Sequence, residues 1–282
     1  MRKYGLFVSA VARRTLMVDS TAPRLSPISL LLIGAFTGLM SGLFGVGGGF
    51  IIVPLLLLLG MKQKLAAGTS VTAILPTAIV GAIGYMTLGQ VDWLAAILLA
   101  TGMIVGTQVG GRLLQILPES VLFWMFLVAL LLIIPSLFLV VPSRDAHIDI
   151  TVVVGILLVI TGVIVGILSA LLGVGGGIVM VPVLVLLFGA NDLVAKGTSL
   201  LMMIPGSISA TTVNYRNKNV DLKAAAIVGI TASVVSPLGI WLAEFITPKQ
   251  SNYAFSLLLI FTAVQLIARR YPHWVRFGKK EK

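Results

Sequence analysis

The chain has 282 residues, of which 58% are hydrophobic and only 10% charged, with 20 Lys and Arg against 9 Asp and Glu and no Cys. A soluble domain carries about 25% charged and about 45–50% apolar residues, so this chain cannot cover its own surface in water and reads as a polytopic membrane protein. A nucleic-acid-binding module, a disulfide scaffold and a signal-anchored soluble enzyme are excluded, and zero Cys removes thiolate chemistry, iron–sulfur clusters and Cys-ligated zinc.

Residues 1–26 form a basic leader with Arg2, Lys3, Arg13, Arg14 and Arg24. The apolar core from Leu6 to Ala12 is too short, and too closely followed by charge, for a signal peptide, so the leader is expected to be cytoplasmic and interfacial. A first membrane unit at 27–142 contains a hairpin over about 28 to 60, then crossings over about 66 to 88, 92 to 114 and 119 to 141. A short external linker, 143–148, precedes a second unit at 149–268. That unit holds a hairpin over about 150 to 188 and crossings over about 195 to 215, 223 to 245 and 251 to 268. A basic tail, 269–282, follows. A helix needs about 20 apolar residues to span a hydrocarbon core about 30 Å thick. The second hairpin arms, Phe50 to Leu59 and Ile178 to Phe188, fall short of that. The fold class is therefore all-α with about eight transmembrane segments, ten if the arms cross fully, and with glycine-broken or re-entrant hairpins. The runs are continuous rather than alternating, which excludes a β-barrel.

The two units are copies. Shifted by 128 positions, Gly34, Gly38, Ser41, Gly45, Val46, Gly47, Gly48 and Gly49 fall on Gly162, Gly166, Ser169, Gly173, Val174, Gly175, Gly176 and Gly177, and Pro54 falls on Pro182. After one inserted residue, Gly68-Thr69-Ser70 meets Gly197-Thr198-Ser199, Pro76 meets Pro205 and Asp92 meets Asp221. Lys and Arg accumulate on the cytoplasmic side of membrane proteins. With the amino terminus inside, 17 of the 20 basic residues lie inside, leaving Arg144, Lys196 and Lys249 outside. Each unit then crosses an odd number of times, so the two repeats have inverted topology, the architecture of secondary transporters with a site near the midplane.

The motifs that can carry chemistry are backbone. Three consecutive glycines cost a helix about 1 kcal/mol each relative to Ala, so two copies of such a run need a reason. Each run precedes an apolar arm, where free amides at a helix start form an anion site. The alternative is that Gly47, Gly48, Gly49 and Gly175, Gly176, Gly177 only make tight turns. Dinucleotide binding is excluded, because Phe50 stands where a Rossmann fingerprint needs glycine and no phosphate-loop Gly-Lys-Ser/Thr occurs. Gly68-Thr69-Ser70 and Gly197-Thr198-Ser199 are expected to open the next helix, either as caps or as hydroxyl donors to a small oxyanion. Ser41 and Ser169 are expected to bond their own helix carbonyls.

Gly34, Gly38 and Gly42, Gly102, Gly106 and Gly110, and Gly162, Gly166 and Ala170 are spaced by four, which lets membrane helices approach closely. Arg112, Glu119, Lys196 and Glu244 map near segment ends, where snorkelling to water accounts for them. Gln108 and Asn214 are the deeper polar side chains, either ligands or packing contacts. No acid pair, no Ser/His/Asp set and no metal-ligand spacing can be assembled, so no enzyme, metal or cofactor is expected.

The twin elements at Gly34 to Gly49 and Gly162 to Gly177, with the paired Gly-Thr-Ser at 68 and 197, resemble the sulfite exporter TauE/SafE family, also called the toluene sulfonate uptake permease family. The resemblance covers about residues 27 to 268 and leaves the basic leader outside. It implies a cell-membrane permease for sulfite, a sulfonate or a related organic anion. It also implies that the glycine turns and Gly-Thr-Ser segments flank the substrate. The expected function is a secondary carrier of a small anion by alternating access. A channel-like pore or a cation or metal permease is the alternative. Beyond the substrate, the expected partner is anionic lipid at the basic ends, with no nucleic acid.

Overall fold

The computed structural model describes residues 26–139 and 148–270, and the described residues form ten helices. The first unit contributes α1 (Pro27–Phe44), α2 (Gly49–Leu58), α3 (Gln63–Thr87), α4 (Trp93–Ile116) and α5 (Glu119–Ser136). The second contributes α6 (Val152–Leu172), α7 (Gly177–Phe188), α8 (Asp192–Arg216), α9 (Leu222–Phe245) and α10 (Pro248–Arg270). Eight of these are long and apolar enough to cross a membrane. The other two, α2 and α7, have 10 and 12 residues. At 1.5 Å per residue they rise about 15–18 Å, roughly half a hydrocarbon core. The hairpins are thus broken, as the glycine runs predict. The leader, most of the linker and the tail lie outside the described residues.

Local chemistry sets the helix ends. Pro27 occupies the first turn of α1, where its missing N–H costs nothing. Gly45 closes that helix with φ +69°, its amide bonded to the Ser41 carbonyl, and Gly173 closes α6 in the same way with φ +73° onto Ser169. Asp92 caps α4 through the Ala95 amide at 2.9 Å, and Asp221 caps α9 through the Ala224 amide at 3.0 Å. Six prolines, Pro54, Pro76, Pro135, Pro182, Pro205 and Pro237, stand inside helices. The α5 helix ends at Ser136, five residues short of the predicted crossing.

Each unit's first helix packs on the other unit's fourth. A Cβ on Gly34, Gly38 or Gly42 of α1 would meet, in order, Val228 and Thr231, Ala232, then Ser236 and Gly239 of α9, so these helices run parallel. The copy is α4 on α6, with Gly102 against Val159, Gly106 against Val163 and Gly110 against Ile167. These are the close approaches that the spacing of four predicts. Between the pairs, α3 and α8 run antiparallel, Gly68 lying at Asn214 and Gly197 at Tyr85. Helices α3 and α9 run parallel, with Gly229 at Ala73 and Gly84 at Ile240, as do α4 and α8, with Gly206 at Met103 and Gly111 at Val213. Large apolar side chains such as Leu32, Leu132, Val153, Leu187, Val234 and Phe261 remain exposed on the outside. That is the surface a bilayer covers.

Candidate functional site

The two glycine turns meet. Gly47 and Gly48 have φ +71° and +77°, Gly175 and Gly176 have +80° and +90°, and Gly49 and Gly177 are the first residues of α2 and α7. L side chains rarely adopt such φ values, so glycine is required at the four turn positions. A Cβ on Gly49 would lie 2.6 Å from the Gly173 carbonyl oxygen, and one on Gly177 would lie 2.5 Å from Val46 Cα. The first intrahelical amides are those of Ile51 and Ile52, both onto the Gly48 carbonyl, and those of Val179 and Met180, both onto the Gly176 carbonyl. The amides before them are the unmatched donors of two positive helix starts. Ile74 of α3 and Met203 of α8, equivalent residues at the register of 129, fill the space against Gly47 and Gly175, and both are fully buried. The turns are therefore adjacent and closed over by two apolar side chains.

The Gly-Thr-Ser segments do not open helices. α3 starts at Gln63, after Lys62, and α8 at Asp192, after Asn191, whose side chain accepts from the Val194 amide, so both motifs sit more than a turn inside. Their glycines admit a backbone: a Cβ on Gly68 would overlap the Asn219 carbonyl oxygen, and one on Gly197 would overlap that of Gln90. Their threonines accept a backbone bond from the opposite unit, Thr69 Oγ1 from the Asp221 amide and Thr198 Oγ1 from the Asp92 amide, each at 2.9 Å. The loop joining the third and fourth helices of each unit is thus latched onto the third helix of the other. Sequence reasoning paired Asp92 with Asp221 but had no signal for this exchange, which joins residues 152 and 106 positions apart.

Ser70 Oγ donates to the Gly173 carbonyl at 2.7 Å and lies 3.4 Å from that of Gly49, tying both glycine turns to α3. Its copy Ser199 finds only the Met203 sulfur at 3.9 Å. Ser41 and Ser169 are buried beside the turns, and their hydroxyls make no hydrogen bond, contrary to the expected bond to their own helix. Gln108 is a packing contact between α4 and α8: its Nε2 donates to Ser209 Oγ at 2.8 Å, which also receives Thr107 Oγ1 at 2.8 Å. Asn214 is fully buried and bonds the Ala210 carbonyl of its own helix at 3.0 Å, while its Oδ1 has no partner. Its copy in the first unit is Tyr85, whose hydroxyl reaches the Gly42 carbonyl at 2.7 Å.

One charged group overturns its expectation. Lys196 does not snorkel to water: it is 3% exposed, and its Nζ donates to Asp192 Oδ2 at 3.3 Å and to Ser251 Oγ at 3.1 Å. The Cα and Cβ of Lys196 occupy the space a side chain on Gly45 would take, so this residue rests on the first glycine turn. The pair lines a cavity with about 30 Å³ of free space, together with Phe44, Ser136, Asn252 and Phe255. The available signal was the Asp-x-x-x-Lys spacing at the start of α8, which places both side chains on one helix face. Among the described residues no group of three or more His, Cys, Asp or Glu is placed to hold a metal ion.

Comparison with known proteins identifies the family. The family described as sulfite exporter TauE/SafE matches residues 3–137 and 158–282, a wider stretch than the motifs alone marked out and one that reaches into the basic leader. A "probable membrane transporter protein" of Methanocaldococcus jannaschii is 29% identical over 250 residues, covering 82% of this chain and 91% of that protein. One of Haemophilus influenzae is 28% identical over 259 residues, covering 85% and 97%. Another, of Xylella fastidiosa, is 27% identical over 256 residues, covering 86% and 95%. With eight helices long and apolar enough to span a membrane, two broken hairpins meeting at glycine turns, and a family match over both units, the chain belongs to the sulfite exporter TauE/SafE family and is a multi-pass membrane transporter.

Proposed function

We propose that the protein is a secondary carrier of a small anion, a sulfur oxyanion or a sulfonate, working by alternating access between two inverted halves. The observation that carries this reading is the meeting of the two glycine turns, each the positive start of a short helix, under Ile74 and Met203. Two helix starts aimed at one locus favour negative charge there. The apolar cover excludes a standing conduit at that point, which favours a gated carrier over an open pore. Inversion is supported by helix directions. α3 runs against its copy α8, α1 runs with α3 through their common neighbour α9, and α6 runs with α8 through α4. The residues of this site would bind and orient the anion by backbone amides, with Ser199, Ser169 and Ser41 as nearby hydroxyls. No covalent step is involved.

With the basic ends inside, the carrier sits in the cell membrane with both termini cytoplasmic, and the leader and tail face anionic lipid. The test of function is flux of radiolabelled sulfite, sulfate, methanesulfonate and acetate in proteoliposomes under a membrane potential of either sign. Saturable movement of a sulfur oxyanion is the expected result; movement of none of the four overturns the reading. Accessibility tags at residues 90 and 218 are expected to report opposite sides of the membrane, and labelling from one side would overturn the inversion.

A further inference from the structure

The buried pair of Lys196 and Asp192 has no counterpart in the first unit. At the register of 129, Lys196 corresponds to Ala67, Asp192 to Gln63, Ser251 to Leu122 and Asn252 to Phe123. The backbone setting is the same on both sides, since a Cβ on Gly173 would meet Ala67 Cα just as one on Gly45 would meet Lys196 Cα. The first unit therefore shows that this corner folds without charge. Replacing a buried ion pair by apolar residues is often neutral or stabilising, so packing alone does not account for the pair, and an ionisable residue within a membrane segment is a functional candidate.

We propose that Lys196 is the cationic anchor of a single, one-sided anion site, in which the head group of a small sulfonate, sulfite or carboxylate takes the place of Asp192 on the ammonium. This deepens the anion-carrier reading and rests on it. In the present state the ammonium is held by the Asp192 carboxylate and the Ser251 hydroxyl beside a cavity that has room for about one water. An incoming oxyanion finds the same charge-assisted donor, with Asn252 in the lining, whose Nδ2 gives one N–H to the Leu137 carbonyl at 2.7 Å and has a second for an anion oxygen. Because the Asp192 carboxylate already holds the ammonium, an anion binds by exchange with that carboxylate rather than by addition beside it. That exchange couples binding to the start of α8, which carries Met203 about three turns further along, and to the first glycine turn at Gly45. Occupancy of this site would in this way be felt at the cover over the turns.

The experiment measures binding and flux on the full chain. Binding is read as sulfite- and methanesulfonate-dependent thermal stabilisation of the detergent-purified protein, and flux as radiolabelled sulfite movement in proteoliposomes. Loss of a hydrogen bond to a charged group is worth about ten- to a hundred-fold, so Lys196→Met is expected to weaken binding by at least about ten-fold and to abolish saturable flux. Asp192→Asn removes the competing carboxylate and is expected to tighten binding and lower KM. A merely structural pair would not produce that gain. The double variant Asp192→Asn/Lys196→Met removes both charges of the pair together, is expected to fold, and is expected to lose the binding that depends on Lys196. Wild-type binding and flux in the double variant, or an unchanged or raised KM in Asp192→Asn, would overturn the site while leaving the carrier reading intact. Binding that depends on Lys196 without any flux overturns the carrier reading and keeps the site. Neither binding nor flux in the wild type overturns both.

Discussion

The starts of α3 and α8 are the same piece of structure built twice, and they differ where it matters. Both present a glycine to the carbonyl of a loop from the other unit and a threonine to the amide of an Asp cap. Around that shared latch, α3 carries Gln63 and Ala67, with Leu122 at the position that corresponds to Ser251, whereas α8 carries Asp192 and Lys196, the latter bonded to Ser251. Further along, the first unit fills its interior with Tyr85, bonded to Gly42, and the second places Asn214 there with an unmatched oxygen. The latch is a requirement of joining the halves and so is kept in both. The polar groups serve no such requirement and are found in one. Duplicated geometry reports architecture, and the proposed anion site lies where the second unit departs from the first.

The strongest way to break this comparison is to give the first unit the second unit's charge. Ala67→Lys buries an ammonium with no carboxylate at position 63, at an expected cost of about 3–5 kcal/mol, and adding Gln63→Asp should recover part of it. Thermal unfolding in detergent reads both, and a tolerated single substitution would show that the two corners are not equivalent. Next in size, Gly68→Val and Gly197→Val each drive a side chain into a loop backbone and should cost about 3 kcal/mol or more, by the same readout. A large loss at one site and none at the other would deny the shared latch.

Smaller effects sharpen the picture. Thr69→Val and Thr198→Val each leave an Asp amide without its acceptor and should cost about 1–3 kcal/mol, nearly equally and additively, because the two latches lie at opposite ends of α3 and α8. At the turns, Gly48→Ala and Gly189→Ala share a positive φ, worth about 1–2 kcal/mol in each. Only Gly48 has a neighbour, Thr37, in the way, while nothing lies within 4 Å at Gly189. The excess cost of Gly48→Ala over Gly189→Ala isolates the packing of the turn, and equality would mean that the turn has room to spare.

Much of the fold was legible because it rests on local signals. The four-residue glycine spacing announced the close helix pairs, and the glycine runs announced the broken hairpins. The Gly-Thr-Ser segments misled because Thr and Ser are good caps in isolation, whereas here Lys62 and Asn191 begin the helices and the hydroxyls turn to the other unit. Lys196 misled for a related reason. Distance from a segment end along the sequence says that a lysine can reach water, but packing beside Phe44, Ser251 and Phe255 leaves it only 3% exposed.

Composition and period alone gave the solvent, the duplication, a count of about eight to ten apolar segments and the places where the chain must turn. These follow from composition, period and the conformational range of glycine and proline, which act within a few residues. The tertiary structure alone decided which carbonyl each Gly-Thr-Ser glycine admits, that Ser70 clamps both turns while Ser199 is left with a sulfur, and that one unit holds a buried charge the other lacks. Those outcomes depend on groups more than 50 residues apart meeting across the interior, such as Ser70 with Gly173 and Lys196 with Ser251. In a dry interior a polar group takes whichever partner the packing brings within reach.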